Sequence, residues 1–213
     1  DVGTKRVVGA MVTRFLDLEL KSKFTQNFPK DQAGLVLANA VIQHKLKLKG
    51  WNSKCDSWLR RVDCVRKGCP ELDLPEFSEE DRQLVINEVC QGAISYKEIK
   101  ELEVWPFLKV WLSTEQRSLI ESLAPKKIIL SNGREINIVY EESGPKISII
   151  LQKLYDVMSV PTICNGNVSV LVEILAPNHR PVQRTDDLKG FWASSYPEIK
   201  KQLRGRYPKH EWR

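Results

Sequence analysis

The side chains that could do chemistry in this sequence are few, and their spacing argues against most of it. Five cysteines stand at positions 55, 64, 69, 90 and 164, separated by nine, five, twenty-one and seventy-four residues. None forms a CxxC pair, and His44, His179 and His210 fall at no spacing that would complete a zinc site with Cys64 and Cys69. Reduced thiols are therefore expected. No glycine-rich turn leads into Gly-Lys-Ser/Thr, so the chain lacks the usual cradle for nucleotide phosphates, and Asn165-Gly166-Asn167 reads as a turn. Neither a Gly-x-Ser-x-Gly elbow nor an HExxH pair occurs. His179, in Pro177-Asn178-His179-Arg180, reads as a solvent-facing or phosphate-facing turn residue. Glu141-Glu142 and Asp186-Asp187 read as a loop and a helix start. No catalytic residue is assigned.

Charge is more informative. The 213 residues carry 33 Lys/Arg against 27 Asp/Glu, a net charge of +6. Residues 178–213 hold nine of the bases and four of the acids, and so account for five of the six net positive charges. A basic end of this kind suits a polyanion, because each neutralised phosphate releases counterions. Hydrophobic residues make up 42% of the chain, enough for a buried core, and no run approaches the roughly 18 apolar residues of a membrane span. No basic-then-apolar leader opens the sequence. A cytoplasmic protein is expected. Asp1 stands in place of Met just ahead of a strand-like pattern at Arg6-Val7-Val8. This leads us to expect a piece of a longer chain, or a chain with a disordered or cleaved front.

The elements that must position these groups read as α+β. Val8, Ala10 and Val12, then Leu16, Leu18 and Leu20, alternate with polar residues as half-buried strands do, so residues 1–28 read as a strand pair. This pair would belong to an OB-like element or to a sheet begun upstream. Residues 29–124 read as a helical domain. Its first helix opens at Pro29-Lys30-Asp31 and puts Leu35, Leu37, Ala38, Val41, Ile42 and Leu46 on one broad face. Ser78-Glu79-Glu80-Asp81 marks a later helix start, and the last helix runs from about Thr114 to Leu123. Residues 125–213 read as a small α/β module. Asn132-Gly133 turns a hairpin, Ile147, Ile150, Leu151, Leu154 and Val157 form a helical stripe, and Val168–Leu175 is a strand returning after Pro177-Asn178. Helices follow at about Asp186–Ala193 and Pro197–Arg204, with Gly205 suited to cap the second.

The C-terminal segment carries a specific resemblance. Arg180-Pro181-Val182-Gln183, Thr185-Asp186-Asp187-Leu188-Lys189-Gly190-Phe191-Trp192 and Arg204-Gly205-Arg206-Tyr207-Pro208-Lys209-His210 resemble the closing module of HrpB-type helicases. Leu123-Ala124-Pro125, Ser131-Asn132-Gly133-Arg134 and Tyr140 extend the similarity, which covers about 123–212. Asn132 stands where that family usually has Ser, Val139 where it has Asp, and Glu211 where it has Pro. The resemblance implies a parent helicase of superfamily two, related to the DEAH-box group. Its ATP- and magnesium-binding motor would lie upstream, with no cofactor held by this chain. It also implies a nucleic-acid partner, single-stranded RNA in the first place, and the motor itself as a partner in cis.

On this reading the candidate nucleic-acid contacts are Arg180, Arg184, Lys200, Lys201, Arg204, Arg206, Tyr207, Lys209 and His210. Arg204, Arg206 and Lys209 surround Tyr207 with the mixture of phosphate-binding charge and stacking face that single-strand binders use. Trp192, Tyr196 and Trp212 are further aromatic candidates. A structural reading stands beside it: Phe191 and Trp192 as core, Arg180 and Arg184 bridged to Asp186 or Asp187, and the stretch after Gly205 as a docked chain end. Two other functions fit the same composition. One is a protein-interaction or regulatory module anchored by Trp51, Trp58, Trp105 or Trp111. The other is a free-standing basic binding protein.

Overall fold

Ser78 and Ser113 begin helices for the same local reason. Ser78 Oγ accepts from Asp81 N at 3.1 Å, while the Asp81 carboxylate accepts from Ser78 N at 2.9 Å. Ser113 and Gln116 repeat this reciprocal cap at 3.2 and 3.0 Å. Each pair satisfies two amide donors that a helix start leaves open. The structure is a computed structural model describing residues 3–25 and 27–213. Asp1, on which the reading of a chain fragment rests, lies outside the described residues.

The fold is α+β. The first part of the chain gives β1 (Gly9–Phe15), β2 (Leu18–Thr25), α1 (Lys30–Ile42), α2 (Ser53–Gly68), α3 (Glu79–Cys90), α4 (Tyr96–Ile99), α5 (Trp105–Leu108) and α6 (Thr114–Leu123). Strands then dominate: β3 (Lys127–Ile129), β4 (Glu135–Asn137), β5 (Val139–Glu141), β6 (Gly144–Ile150), β7 (Thr162–Ile163), β8 (Val168–Ser169), β9 (Leu171–Leu175) and β10 (Pro181–Thr185). Helices α7 (Leu188–Gly190) and α8 (Tyr196–Arg206) close the chain, joined by a wide π-type turn over Phe191–Ser195. By compactness the residues divide into two units, Asp1–Asp56 with Phe77–Leu112, and Ser57–Glu76 with Ser113–Arg213.

In the first unit α1 packs on α3. Ala33, Gly34, Leu37, Ala38 and Val41 of α1 are buried, as are Val85, Ile86, Val89 and Cys90 of α3. Leu35, expected on the inward face, is 54% exposed. At 3.6 residues per turn the inward stripe runs through 34, 37, 38 and 41, which turns position 35 to the far side. Strands β1 and β2 pair antiparallel around a turn at Leu16, which adopts φ 53°. The half-buried strands read from the leucine alternation are not what the structure shows: Leu16, Leu18 and Leu20 are 84%, 68% and 64% exposed. Among the described residues no third strand pairs with this ribbon. Trp51 and Trp111 are half-buried and hydrogen-bonded through their indoles to Asp56 and Asp81 at 3.0 and 3.1 Å. Phe77 packs edge-on against Trp111.

In the second unit the strand order is β10-β9-β6-β5, with β6 and β9 parallel and the outer pairs antiparallel. Ile147 and Ile149 of β6 and Val172 and Ile174 of β9 form the buried face. The residues from Ile147 to Ile150 are thus strand and not the first turn of a helix. Apolar residues at 147, 150, 151 and 154 satisfy a helical spacing by coincidence, because the chain leaves β6 through a 3-10 turn at Leu151–Lys153. The expected cap at Gly205 also differs: α8 runs on to Arg206, placing Gly205 inside its last turn. Ser131 to Arg134 turns the β3–β4 hairpin, with Gly133 N donating to Leu130 O at 2.8 Å and Gly133 at φ 78°. A glycine is needed there because the left-handed region penalises a Cβ.

Candidate nucleic-acid interface

Helix α8 places the C-terminal cations. Pro197 at its start fixes a helical φ where no amide donor is needed, and Tyr196 and Leu203 point inward. Lys201 and Arg204, three residues apart, are exposed on one stripe, whereas Lys200, expected on that same solvated face, follows Tyr196 by one turn and lies half-buried with Nζ 6.0 Å from its ring centroid. Lys201, Arg204, Arg206, Lys209 and His210 are exposed, and among the described residues no carboxylate lies within ion-pair distance of them. Arg180, in the β9–β10 turn, is likewise exposed and without such a pair. Lys200 donates to the main-chain oxygen of Arg213 at 2.6 Å, and Tyr207 is half-buried with its ring edge-on to His210 at 6.0 Å.

Arg184 is bound otherwise than expected. Its guanidinium grips Glu173 through Nε at 2.8 Å and Nη2 at 2.7 Å. The register of β9 and β10 puts Arg184 directly opposite Glu173. Asp187, the neighbour in sequence, instead caps α7 by accepting from Gly190 N at 2.9 Å. Glu173 is almost fully buried and takes a further hydrogen bond from Ser148 Oγ at 2.6 Å, with Lys146 Nζ at 3.6 Å. The Ser148 hydroxyl first, then Arg184 and Lys146, hold its carboxyl below the usual glutamate range against the opposing effect of burial.

The remaining aromatic candidates have partners within the chain. Phe191 is buried, and Trp192 Nε1 donates to Val157 O at 2.8 Å. Tyr155 and Tyr196 share a hydroxyl contact of 3.0 Å, and Tyr196 donates to Arg213 O at 2.7 Å. Burial raises the Tyr196 phenol well above its ordinary value, so it stays a neutral donor. Trp212 Nε1 donates to Tyr207 O at 2.9 Å, and Arg213 is clamped between Glu211 and Asp156, both at 2.7 Å. The chain end is therefore docked beside the cluster of Tyr155, Trp192 and Tyr196, in which Tyr196 is buried, while Trp192 and Trp212 are half-buried.

The five cysteines are free. Cys69 Sγ lies 3.8 Å from Cys164 O, and Cys164 Sγ lies 4.0 Å from Cys64 O. Burial pushes the Cys164 thiol up to about 12 and the Cys90 thiol to about 11, which keeps both protonated and unreactive at neutral pH.

Charge counting along the chain missed a second cationic surface. Arg134, Lys153 and His179 line one cleft of about 290 Å³ in the second unit. They lie nineteen and twenty-six residues apart in sequence, so no local signal joins them.

Similarity to known proteins takes in most of the chain. A family described as "ATP-dependent helicase C-terminal" matches residues 85–213. The ATP-dependent RNA helicase HrpB of Escherichia coli (strain K12) is 28% identical over 188 residues, covering 86% of this chain and 23% of that protein. The crystal structure of the E. coli DExH-box NTPase HrpB superposes with a TM-score of 0.73 at 28% identity, over 92% of this chain and 25% of the other. A structure of the E. coli DEAH/RHA helicase HrpB gives 0.66 at 25% identity, over 95% and 26%. The chain thus spans about a quarter of the length of the relatives it matches.

Proposed function

From a chain that belongs to the HrpB-type family of ATP-dependent helicase C-terminal domains, we propose an accessory nucleic-acid-binding module that holds single-stranded RNA for a helicase motor. The motor supplies ATP binding, magnesium and hydrolysis; this chain supplies a cationic surface, in the cytoplasm, in cis to the motor. The observation that carries the reading is the set Lys201, Arg204, Arg206 and Lys209, exposed on α8 and just beyond it without carboxylate partners among the described residues. Positive charge left unneutralised on one element releases counterions when it meets phosphate, a favourable term that neutral ligands do not provide. Arg184, tied to Glu173, contributes to sheet packing in this reading and not to the RNA contact.

Binding of a fluorescein-labelled decauridylate followed by anisotropy over a series of salt concentrations tests it. Each phosphate contacted adds roughly 0.7 to the slope of log affinity against log salt. Replacing Arg204, Arg206 and Lys209 together by Ala should weaken binding and flatten that slope by about two units. An unchanged slope would remove the cluster from the interface.

A second reading, a protein-docking module, is favoured by the β1–β2 ribbon. Met11, Phe15, Leu18, Leu20 and Phe24 all leave most of their surface open. Apolar side chains concentrated on an uncovered ribbon mark interaction surfaces. Phe15→Ser with Phe24→Ser should leave RNA affinity intact and weaken association with the motor if this surface docks there.

A further inference from the structure

The cleft lined by Arg134, Lys153 and His179 lies where β6 and β9 end, with Ser148, Ile149, Ile150 and Leu175 in its lining. Arg134 comes from the β3–β4 hairpin, Lys153 from the turn after β6 and His179 from the β9–β10 turn. None of the three pairs with a carboxylate among the described residues. Glu135, the acid in the lining, is held by Lys127 at 2.7 Å. The apolar part of the lining is made by Ile136, Ile149, Ile150 and Leu175. Uncompensated cations above low-dielectric walls focus their field outward and concentrate anions at the mouth.

The frame that holds these side chains is already fixed. Asn132 Nδ2 donates to Lys153 O at 3.1 Å and to Tyr155 O at 3.0 Å, tying the hairpin that carries Arg134 to the segment that carries Lys153. Leu130 N donates to Arg134 O at 2.9 Å. On the third side, His179 N donates to Ala176 O and Ala176 N to Arg180 O, both at 2.9 Å, with His179 at φ 63°. A side-chain-bearing residue in the left-handed region is uncommon and persists where the surroundings hold it. Ser148 also lines the cleft; because its hydroxyl hydrogen goes to Glu173, it offers only acceptor capacity there.

Size and chemistry together select the ligand. At about 290 Å³ the cleft sits at the small end of the roughly 300–1,000 Å³ that ligand pockets span. Cations at the rim suit a phosphodiester, an apolar lining suits a base or ribose face, and a hydroxyl acceptor suits an exocyclic amine or a 2′-hydroxyl. We infer that this cleft is a one-nucleotide subsite for single-stranded nucleic acid, with Arg134 and Lys153 on the phosphates. It rests on the nucleic-acid reading above but places a contact on residues outside the C-terminal cluster.

The test uses the same decauridylate with Arg134→Gln/Lys153→Gln, the charge-keeping Arg134→Lys/Lys153→Arg, and the C-terminal triple alanine variant. The glutamine pair should lower affinity roughly tenfold and flatten the salt slope by about 1.4, two phosphates at about 0.7 each. The charge-keeping pair should retain the slope. Both side chains are exposed, so the glutamine pair should melt with the wild type, which separates lost contact from lost fold. Photocrosslinking a 4-thiouridine decamer to the wild-type chain should label peptides containing 134–153. Wild-type affinity in the glutamine pair, or crosslinks confined to 196–213, overturns the inference while the proposed function stands. Absence of salt-dependent binding by the wild-type chain overturns both.

Discussion

Asn132 donates its side-chain amide to the main-chain oxygen of Lys153 at 3.1 Å, and the same nitrogen reaches Tyr155 O at 3.0 Å. A turn residue thus satisfies two carbonyls beyond the end of β6, on a segment that makes no ladder of its own. Asn132→Ala should cost about 1–2 kcal/mol, since two acceptors lose their protein donor and one of the bonds is open to water. Thermal unfolding should shift down by roughly 2–8 °C. Asn132→Ser, the residue expected here from the family resemblance, has too short a side chain to span both carbonyls and should not restore the loss.

Arg61 closes the end of α6. The side chain is 2% exposed; Nε donates to Ala124 O at 2.6 Å, Nη2 reaches Ile120 O at 3.5 Å, and both Nη atoms fork onto Glu121 at 3.0 and 2.8 Å. The last carbonyls of a helix have no internal partner, and a cation there also complements the helix dipole. Tyr140 completes the exit by donating to Pro125 O at 2.7 Å. Arg61→Leu keeps apolar volume but leaves buried carbonyls bare, and chemical denaturation should show a loss of about 2–3 kcal/mol. Glu121→Gln should cost less, because its half-exposed side chain still offers an acceptor and the carbonyl contacts remain.

Stability should fall as the solution is acidified. The Arg61 hydrogen bond holds the Glu121 carboxyl below the ordinary glutamate value of 4.5, and the Ser148 hydroxyl does the same first of all for Glu173. A carboxyl whose folded pKa is depressed contributes stability that is full above its unfolded pKa and is lost as pH drops through the folded value. Urea midpoints should therefore be flat near neutrality and decline below about pH 4.5, as the shifted carboxyls take up protons. In Arg61→Leu the decline should be shallower. An equal acid sensitivity in that variant would assign the effect to other carboxylates.

Gly34 decides how closely α1 approaches the end of α3. A Cβ at this position would stand 2.5 Å from Cys90 O and 3.3 Å from Gly92 N, both main-chain atoms that cannot rotate away. Helix propensity favours alanine over glycine by about 1 kcal/mol. The steric cost of forcing two packed backbones apart is typically about 1–3 kcal/mol and should win. Gly34→Ala should lower the melting temperature, whereas Gly205→Ala, with open space around its Cβ inside α8, should raise it slightly.

Local chemistry made much of the fold legible in advance. Ser78 with Asp81, Pro29 before Lys30 and Gly133 in its turn each act within a few residues, so reading along the chain finds them. The run from Arg180 to Trp192 and from Arg204 to His210 carried the family resemblance for a similar reason: residue types at short, fixed spacing survive in one dimension. The positive balance of the last thirty-six residues is likewise a property of composition.

What the tertiary structure alone decided is which of these charges have partners. Arg184 lies next to Asp186 and Asp187 in sequence, yet strand register sets it opposite Glu173, eleven residues away, and removes it from the free cations. Arg134, Lys153 and His179 converge only because the start of β4 meets the ends of β6 and β9. Ile147 to Ile150 suited a helix until parallel pairing with β9 made them a strand. A hydrogen-bond ladder, an ion pair or a cleft depends on distance in space, and no local pattern along a chain displays the distance between segments that meet only after folding.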